Sequence, residues 1–190
     1  MTEERTRARR DPEGRRRAIV EAAADLVVDG GLPELTHRHV AQRAGVPLGS
    51  TTYYFASLDE LGCEALTLLR DRAAADLREI ADQLAAAGPT PATVGRILFE
   101  YVSNTDRVRA DAATYAAALH QDSLRELAAT WFEGLVEVLS VHTGRDAAVA
   151  LAVFTDGAAT HALLHDTPLS EPFLAAAAAA LLRIEEHDDE

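Results

Sequence analysis

Two groups of residues in this 190-residue chain are spaced for chemistry. One is the run Gly49-Ser50-Thr51-Thr52-Tyr53-Tyr54-Phe55, with Thr36-His37-Arg38-His39 a short way before it. Small, hydroxylated and aromatic side chains suit a surface that must come close to phosphates and base edges. The other is a histidine pair, His161 and His165, four residues apart and so on one face of a helix. That spacing can hold a metal, but no cysteine or carboxylate joins it at a diagnostic distance, and no metal is expected. His37 and His39 are two apart and diverge on a helix. There is no Gly-rich phosphate loop and no nucleophile elbow. No catalytic residue and no cofactor are expected, and the chain does not read as an enzyme.

The first group needs elements to hold it. Thr36 suits the N-cap of a short helix over 37–44, with Val40, Ala41 and Ala44 on one face. Gly45 ends that helix, because glycine enters the left-handed C′ position without a Cβ penalty. A second short helix follows over 48–54. Two short helices and a tight turn form a helix-turn-helix, whose second helix lies in a DNA major groove.

At these residues the chain resembles the tetracycline-repressor (TetR) family of transcriptional regulators. The marks are Thr36, Val40-Ala41, Ala44-Gly45-Val46, Gly49-Ser50, Tyr53-Tyr54-Phe55 and Ser57-Leu58-Asp59-Glu60-Leu61. The specific match covers about residues 15–62. The resemblance implies a dimer that binds double-stranded operator DNA and a small-molecule effector. It implies Arg38 on a guanine, whose O6 and N7 match an Arg fork. It places Leu48, Gly49, Ser50 and Thr51 at base edges. It places Thr36, Tyr53, Tyr54 and Ser57 at the DNA backbone and His37 among the DNA-binding residues, with Arg15, Arg16 and the preceding arm adding contacts. Two positions depart from the pattern: Leu58 stands where the family usually has Lys, and Thr52 where it often has Tyr. A helical small-molecule-binding dimer with a degenerate DNA-reading head is therefore the alternative reading.

Charge is distributed to match. The net charge is −13. Residues 1–17 hold seven Arg against four acidic residues, and residues 71–190 hold eight Arg against twenty. The acidity lies away from the expected DNA-reading end. No 18-residue apolar run is free of charge, so no membrane span is expected. The N-terminus has no apolar core of a signal peptide. The one cysteine, Cys63, fits a reducing cytoplasm and is expected to be a buried thiol.

Ala- and Leu-rich composition and 3.6-residue periodicity predict an all-α fold of about nine helices. Residues 1–14 are expected to be a disordered basic arm, 15–56 a three-helix DNA-binding head, and 57–190 a ligand-binding and dimerisation body. Helix 1 covers 15–29, with Ile19, Ala22, Ala23, Leu26 and Val27 inward. Ser57 and Glu60 form a capping box for a long helix over 58–86. Helix 5 opens at Thr90-Pro91, and helix 6 places Ala112, Tyr115, Ala116 and Leu119 in phase. Helices 7, 8 and 9 cover 123–141, 146–165 and 171–186. Helix 8 is apolar nearly all round, and so is expected to be buried on all sides. Residues 174–182 read Leu, six Ala, Leu, Leu. Small residues allow close approach, so Phe154, Gly157, Ala158, Leu174, Ala178 and Leu181 are expected at a homodimer interface. The rings Phe99, Tyr115, Trp131, Phe132 and Phe154, with His161, are expected to border a cavity for a moderately apolar effector.

Overall fold

The computed structural model describes residues 11–183, and among them nine α-helices and no strand. They are α1 Pro12–Gly30, α2 His37–Ala44, α3 Leu48–Tyr54, α4 Leu58–Ala87, α5 Pro91–Ser103, α6 Thr105–Ala118, α7 Asp122–Ser140, α8 Arg145–His165 and α9 Glu171–Leu181. A single 3-10 turn occupies Leu32–Glu34. The all-α expectation holds. The chain divides into two compact units between Arg72 and Ala73, inside α4. The functional boundary expected at 56/57 lies earlier than this division.

The first unit is built on α1, α2, α3 and the first turns of α4. Helix α1 starts at Pro12, not at residue 15. Asp11 is its N-cap and accepts a hydrogen bond from the Gly14 N–H at 2.8 Å, while Pro12 sits where no N–H is needed. The arm expected over 1–14 is helical from Pro12 onward, and residues 1–10 lie outside the described residues. Gly31, at φ 83°, ends α1. Ile19, Ala23, Val27, Val40, Phe55, Leu61 and Ala65 form the buried core. Leu61 and Ala65 fall one turn apart on α4. Cys63 lies between them on the opposite face and is exposed, which corrects the expectation of a buried thiol.

The second unit packs α5 chiefly against α9, and α8 against α7. Leu84, Val94, Leu98, Val102, Leu135, Val136, Leu139, Leu151 and Leu174 lead its core. Gly95 allows the α5–α9 crossing. A Cβ there would lie 2.7 Å from the backbone of Ala175. Helix α6 is rotated from its expected phase: Val108 and Ala118 are buried, and Leu119 is 73% exposed. The inward face includes Asp111, a polar residue that masks the apolar period.

Helix α8 departs from the expectation of burial on all sides. It buries one face, through Ala147, Ala148, Leu151, Ala152, Thr155, Ala158 and Ala159. Val153 and Leu164 are 57% and 75% exposed on the other face, along with Gly157. By length and composition alone α8 is apolar enough to cross a membrane, with mean hydropathy 1.5. Asp156 sits in its middle. Helix α9 is described to Leu181 with a turn to residue 183, so the rest of its expected span lies outside the described residues.

Candidate functional site

Local capping positions the α2–α3 pair. The Thr36 Oγ1 accepts from the His39 N–H at 3.1 Å, and the His39 Nδ1 lies 3.0 Å from the Glu34 carbonyl. Gly45 is left-handed at φ 64°, and its N–H meets the carbonyls of Ala41 and Gln42. The chain turns through Val46 and Pro47 into α3. Ser57 and Glu60 then cap α4: the Glu60 N–H donates to Ser57 Oγ at 3.1 Å, and the Ala56 N–H donates to Glu60 Oε2 at 2.8 Å. The box closes one residue earlier than the usual reciprocal bond. In each cap the hydroxyl oxygen accepts, which leaves the O–H of Thr36 and Ser57 able to donate outward.

These caps fix which side chains of α3 face out. Leu48 is 53% exposed and Tyr53 81% exposed. Gly49 and Thr52 share that open face, and Ser50 is half-buried. Thr51 is fully buried, its hydroxyl donating to the Leu48 carbonyl at 2.8 Å. Thr51 therefore cannot meet a base edge, a correction to the sequence expectation. The residue on the open face is Thr52, as 48, 49, 52 and 53 share one helical side. Tyr54 is half-buried and edge-on to Tyr53, with centroids 5.1 Å apart. Phe55 is core.

Arg38 is exposed at the start of α2, and His37 beside it is half-buried with Nδ1 unpartnered. Arg15 is half-buried. Arg16 is held within the unit, paired with Glu64 at 2.9 Å and 5.0 Å above the Phe55 ring. Arg43 pairs with Asp29 at 2.7 Å, and that hydrogen-bonded carboxylate pushes its pKa up. Leu58, in place of the expected Lys, is half-buried at the start of α4.

The second unit holds a cavity of about 250 Å³. Its apolar wall comes from Ile80, Leu84, Val94, Leu98, Leu135, Leu139 and Leu151, with Trp131 as the large ring. Its polar wall comes from Asp76, Glu79, Gln83, Glu100, Tyr101, Asn104 and Arg107. Arg107 on α6 pairs with Asp76 on α4 at 3.0 Å. The Tyr101 hydroxyl donates to Asp111 Oδ2 at 3.0 Å. Burial, then the Asp111 charge, pushes the Tyr101 phenol well up. Burial likewise raises Asp76, Asp111 and Asp156, outweighing the charges and hydrogen bonds that favour their ionised forms.

Comparison with known proteins follows the same lines. A member of the TetR family from Streptomyces coelicolor A3 is 36% identical over 90% of this chain and 99% of its own, with a TM-score of 0.70. The chain is also similar to the multidrug binding protein EbrR complexed with proflavin. There the identity is 36%, the cover 88% of this chain and 99% of that one, and the TM-score 0.65. The chain belongs to the TetR family. Among curated relatives, the HTH-type transcriptional regulator BetI of Escherichia coli O157:H7 is 26% identical over 170 residues, covering 83% of this chain and 87% of BetI. No family model matches the chain.

As a TetR-family transcriptional regulator, the chain keeps the family's DNA-binding motif on α2 and α3. The expected effector residues are less well gathered. Of the six, Trp131 lines the cavity. Phe99, Phe132 and Phe154 pack on the core instead, and Tyr115 and His161 are not among the lining residues. The expected interface residues also divide. Ala158, Leu174 and Ala178 are buried within the chain, at 2%, 0% and 0% exposure, so they cannot cover a partner. Phe154 and Leu181 are half-buried against the same core. Gly157 alone of the six is open, with no neighbouring atom within 4 Å of the point where a Cβ would stand. His161 and His165 stack with centroids 4.3 Å apart, and no third metal-binding side chain joins them among the described residues.

Proposed function

We propose that this regulator is a dimeric, ligand-responsive repressor that binds a palindromic operator and is released by a small, moderately apolar effector. The observation that carries the reading is the division of α4. Its first half belongs to the unit with the α2–α3 pair, and its second half supplies Asp76, Glu79, Ile80, Gln83 and Leu84 to the cavity. One continuous helix thus serves both functions. An effector that moves its second half would change the spacing of two recognition helices, which must sit about 34–36 Å apart. Coupling of about 1–3 kcal/mol would suffice for a useful response. The cytoplasm is the place for such a protein. EbrR, complexed with proflavin in one structure and ethidium in another, supports a small-molecule effector.

For DNA contact we assign Arg38, Leu48, Gly49, Ser50, Thr52 and Tyr53, which are exposed or half-buried. Thr36, His37, Tyr54, Ser57 and Arg15 support them at the backbone, and Arg16 keeps Phe55 and Glu64 company. The test is Arg38→Ala, measured by fluorescence anisotropy on operators substituted base by base. The expected loss is about 1–3 kcal/mol at one guanine position per half-site. A uniform deficit on every sequence would make Arg38 a phosphate contact.

For the dimer we assign the open stripe Val153, Gly157 and Leu164 on α8, with Phe173 on α9, which is 53% exposed. Such a stripe of large apolar side chains is an association surface. Gly157→Arg would put a charge on it. Sedimentation should then find monomers that fail on palindromic DNA; an intact dimer would remove Gly157 from the interface.

A further inference from the structure

Near the C-terminal end of α8, His161 and His165 hold their rings 4.3 Å apart, centre to centre. His161 is half-buried and His165 exposed. Neither imidazole makes a hydrogen bond or an ion pair among the described residues, so the ring nitrogens of both are uncommitted. Two imidazoles one helical turn apart can each turn one nitrogen to the same metal ion, as the histidines of an H-E-x-x-H helix do. The pair also continues the open side of α8. Val153, Gly157, His161 and His165 follow one another at steps of four along one inclined row, with exposed Leu164 beside them.

Two ligands leave a tetrahedral site half made, and no third metal-binding side chain stands near them among the described residues. A second copy of the chain supplies what is missing. A two-fold contact is self-complementary, so a metal on its axis meets the same pair of residues from each chain. Gly157, one turn before His161, has no atom within 4 Å of the point where a Cβ would stand, and so lets another helix come close. Packed helices lie about 8–10 Å apart, a distance over which imidazoles from both sides reach a common point between them. We propose that His161 and His165 are half of a transition-metal site, completed by the same pair of a second chain where two α8 helices meet. A set of four imidazoles selects zinc, copper or nickel over magnesium and calcium, which take oxygen ligands. The bound metal ties the two chains together at this end of α8, and its supply becomes an input to the dimer separate from the cavity. The proposal rests on the dimer surface assigned to α8 above, and adds a ligand that strengthens it.

The test uses the full-length protein without a polyhistidine tag, and cobalt(II) as the probe. Tetrahedral cobalt absorbs far more strongly in the visible than octahedral cobalt, so the spectrum reports how the ion is held. Titration should end at one strongly absorbing cobalt for every two chains. His161→Gln and His165→Gln should each lose that signal, with circular dichroism checking that both variants are folded. Zinc should displace the cobalt. At ten times its own dissociation constant, zinc should tighten the dimer about tenfold in sedimentation, as binding to the dimer alone requires. A weak octahedral spectrum, one cobalt per chain, or a strong signal that survives both substitutions overturns the proposal. Sedimentation of the metal-free protein keeps that failure apart from failure of the dimer reading. A dimer that gives no tetrahedral cobalt signal overturns the metal site and leaves the interface standing. A chain that stays monomeric with and without metal overturns both.

Discussion

The two units meet most of their polar groups in different ways, His37 Nδ1 in the first, buried without a partner, excepted. In the first, the caps around α2 and α3 close within a few residues: Thr36 on His39, Gly45 on Ala41 and Gln42, Ser57 on Glu60. In the second, long-range groups are left short, with Gln83 Oε1 and Arg107 Nε buried and unpartnered on one cavity. The contrast separates a surface that must be ready before its partner arrives from a site completed by what enters it. A reading head gains from rigid presentation, because every side chain it orders in advance costs no entropy on binding. A sensing site needs groups whose pairing improves when it is filled.

Three substitutions test this difference. The largest effect belongs to Phe55→Ala. Phe55 is the biggest fully buried side chain of the first unit and lies beneath Arg16. Its removal should cost about 3–5 kcal/mol. Urea unfolding should show that loss by far-UV circular dichroism, while the Trp131 fluorescence midpoint in the second unit stays near wild type. A matching shift of both signals would mean that the two units unfold as one.

Gly95→Ala comes next and strikes the second unit. The new methyl meets the backbone of Ala175, which cannot swing aside as a flexible side chain would. The cost should be about 1–3 kcal/mol, read in the Trp131 midpoint. A variant as stable as wild type would show that the α5–α9 crossing has slack. Thr36→Ala is the smallest. Loss of the bond to the His39 N–H should cost about 0.5–2 kcal/mol of first-unit stability in the same urea experiment. An unchanged midpoint would make the cap dispensable for folding.

The features legible in sequence are those governed by neighbours. Gly45 and the Ser57–Glu60 cap follow from local rules, and the structure has both. The swap of Thr51 for Thr52 shows the limit even there. Two adjacent threonines carry the same chemistry, and only the phase of a seven-residue helix tells which is buried. In α6 the inward Asp111 breaks the apolar period, so periodicity points to the wrong face. In α9 a run of alanines has no sidedness at all. Leu174 and Ala178 turn inward because Gly95, some eighty positions earlier, opens room for that face beside Ala175. The cavity is hardest to foresee. Rings are the expected lining, yet Phe99, Phe132 and Phe154 pack against the core instead. Its polar wall comes from Asp76, Glu79 and Glu100, which in sequence look like any solvated helix face.

On the reading proposed above, the α2–α3 pair reads a two-fold symmetric DNA site as part of a dimer. Selection of operators from random duplex DNA by the purified protein, followed by a salt titration on the enriched site, tests it most directly. The expected result is an enriched palindrome with half-site centres about one helical turn or a multiple apart, and affinity that falls steeply with salt. Enrichment of no sequence, with binding no tighter than to bulk DNA, would contradict it.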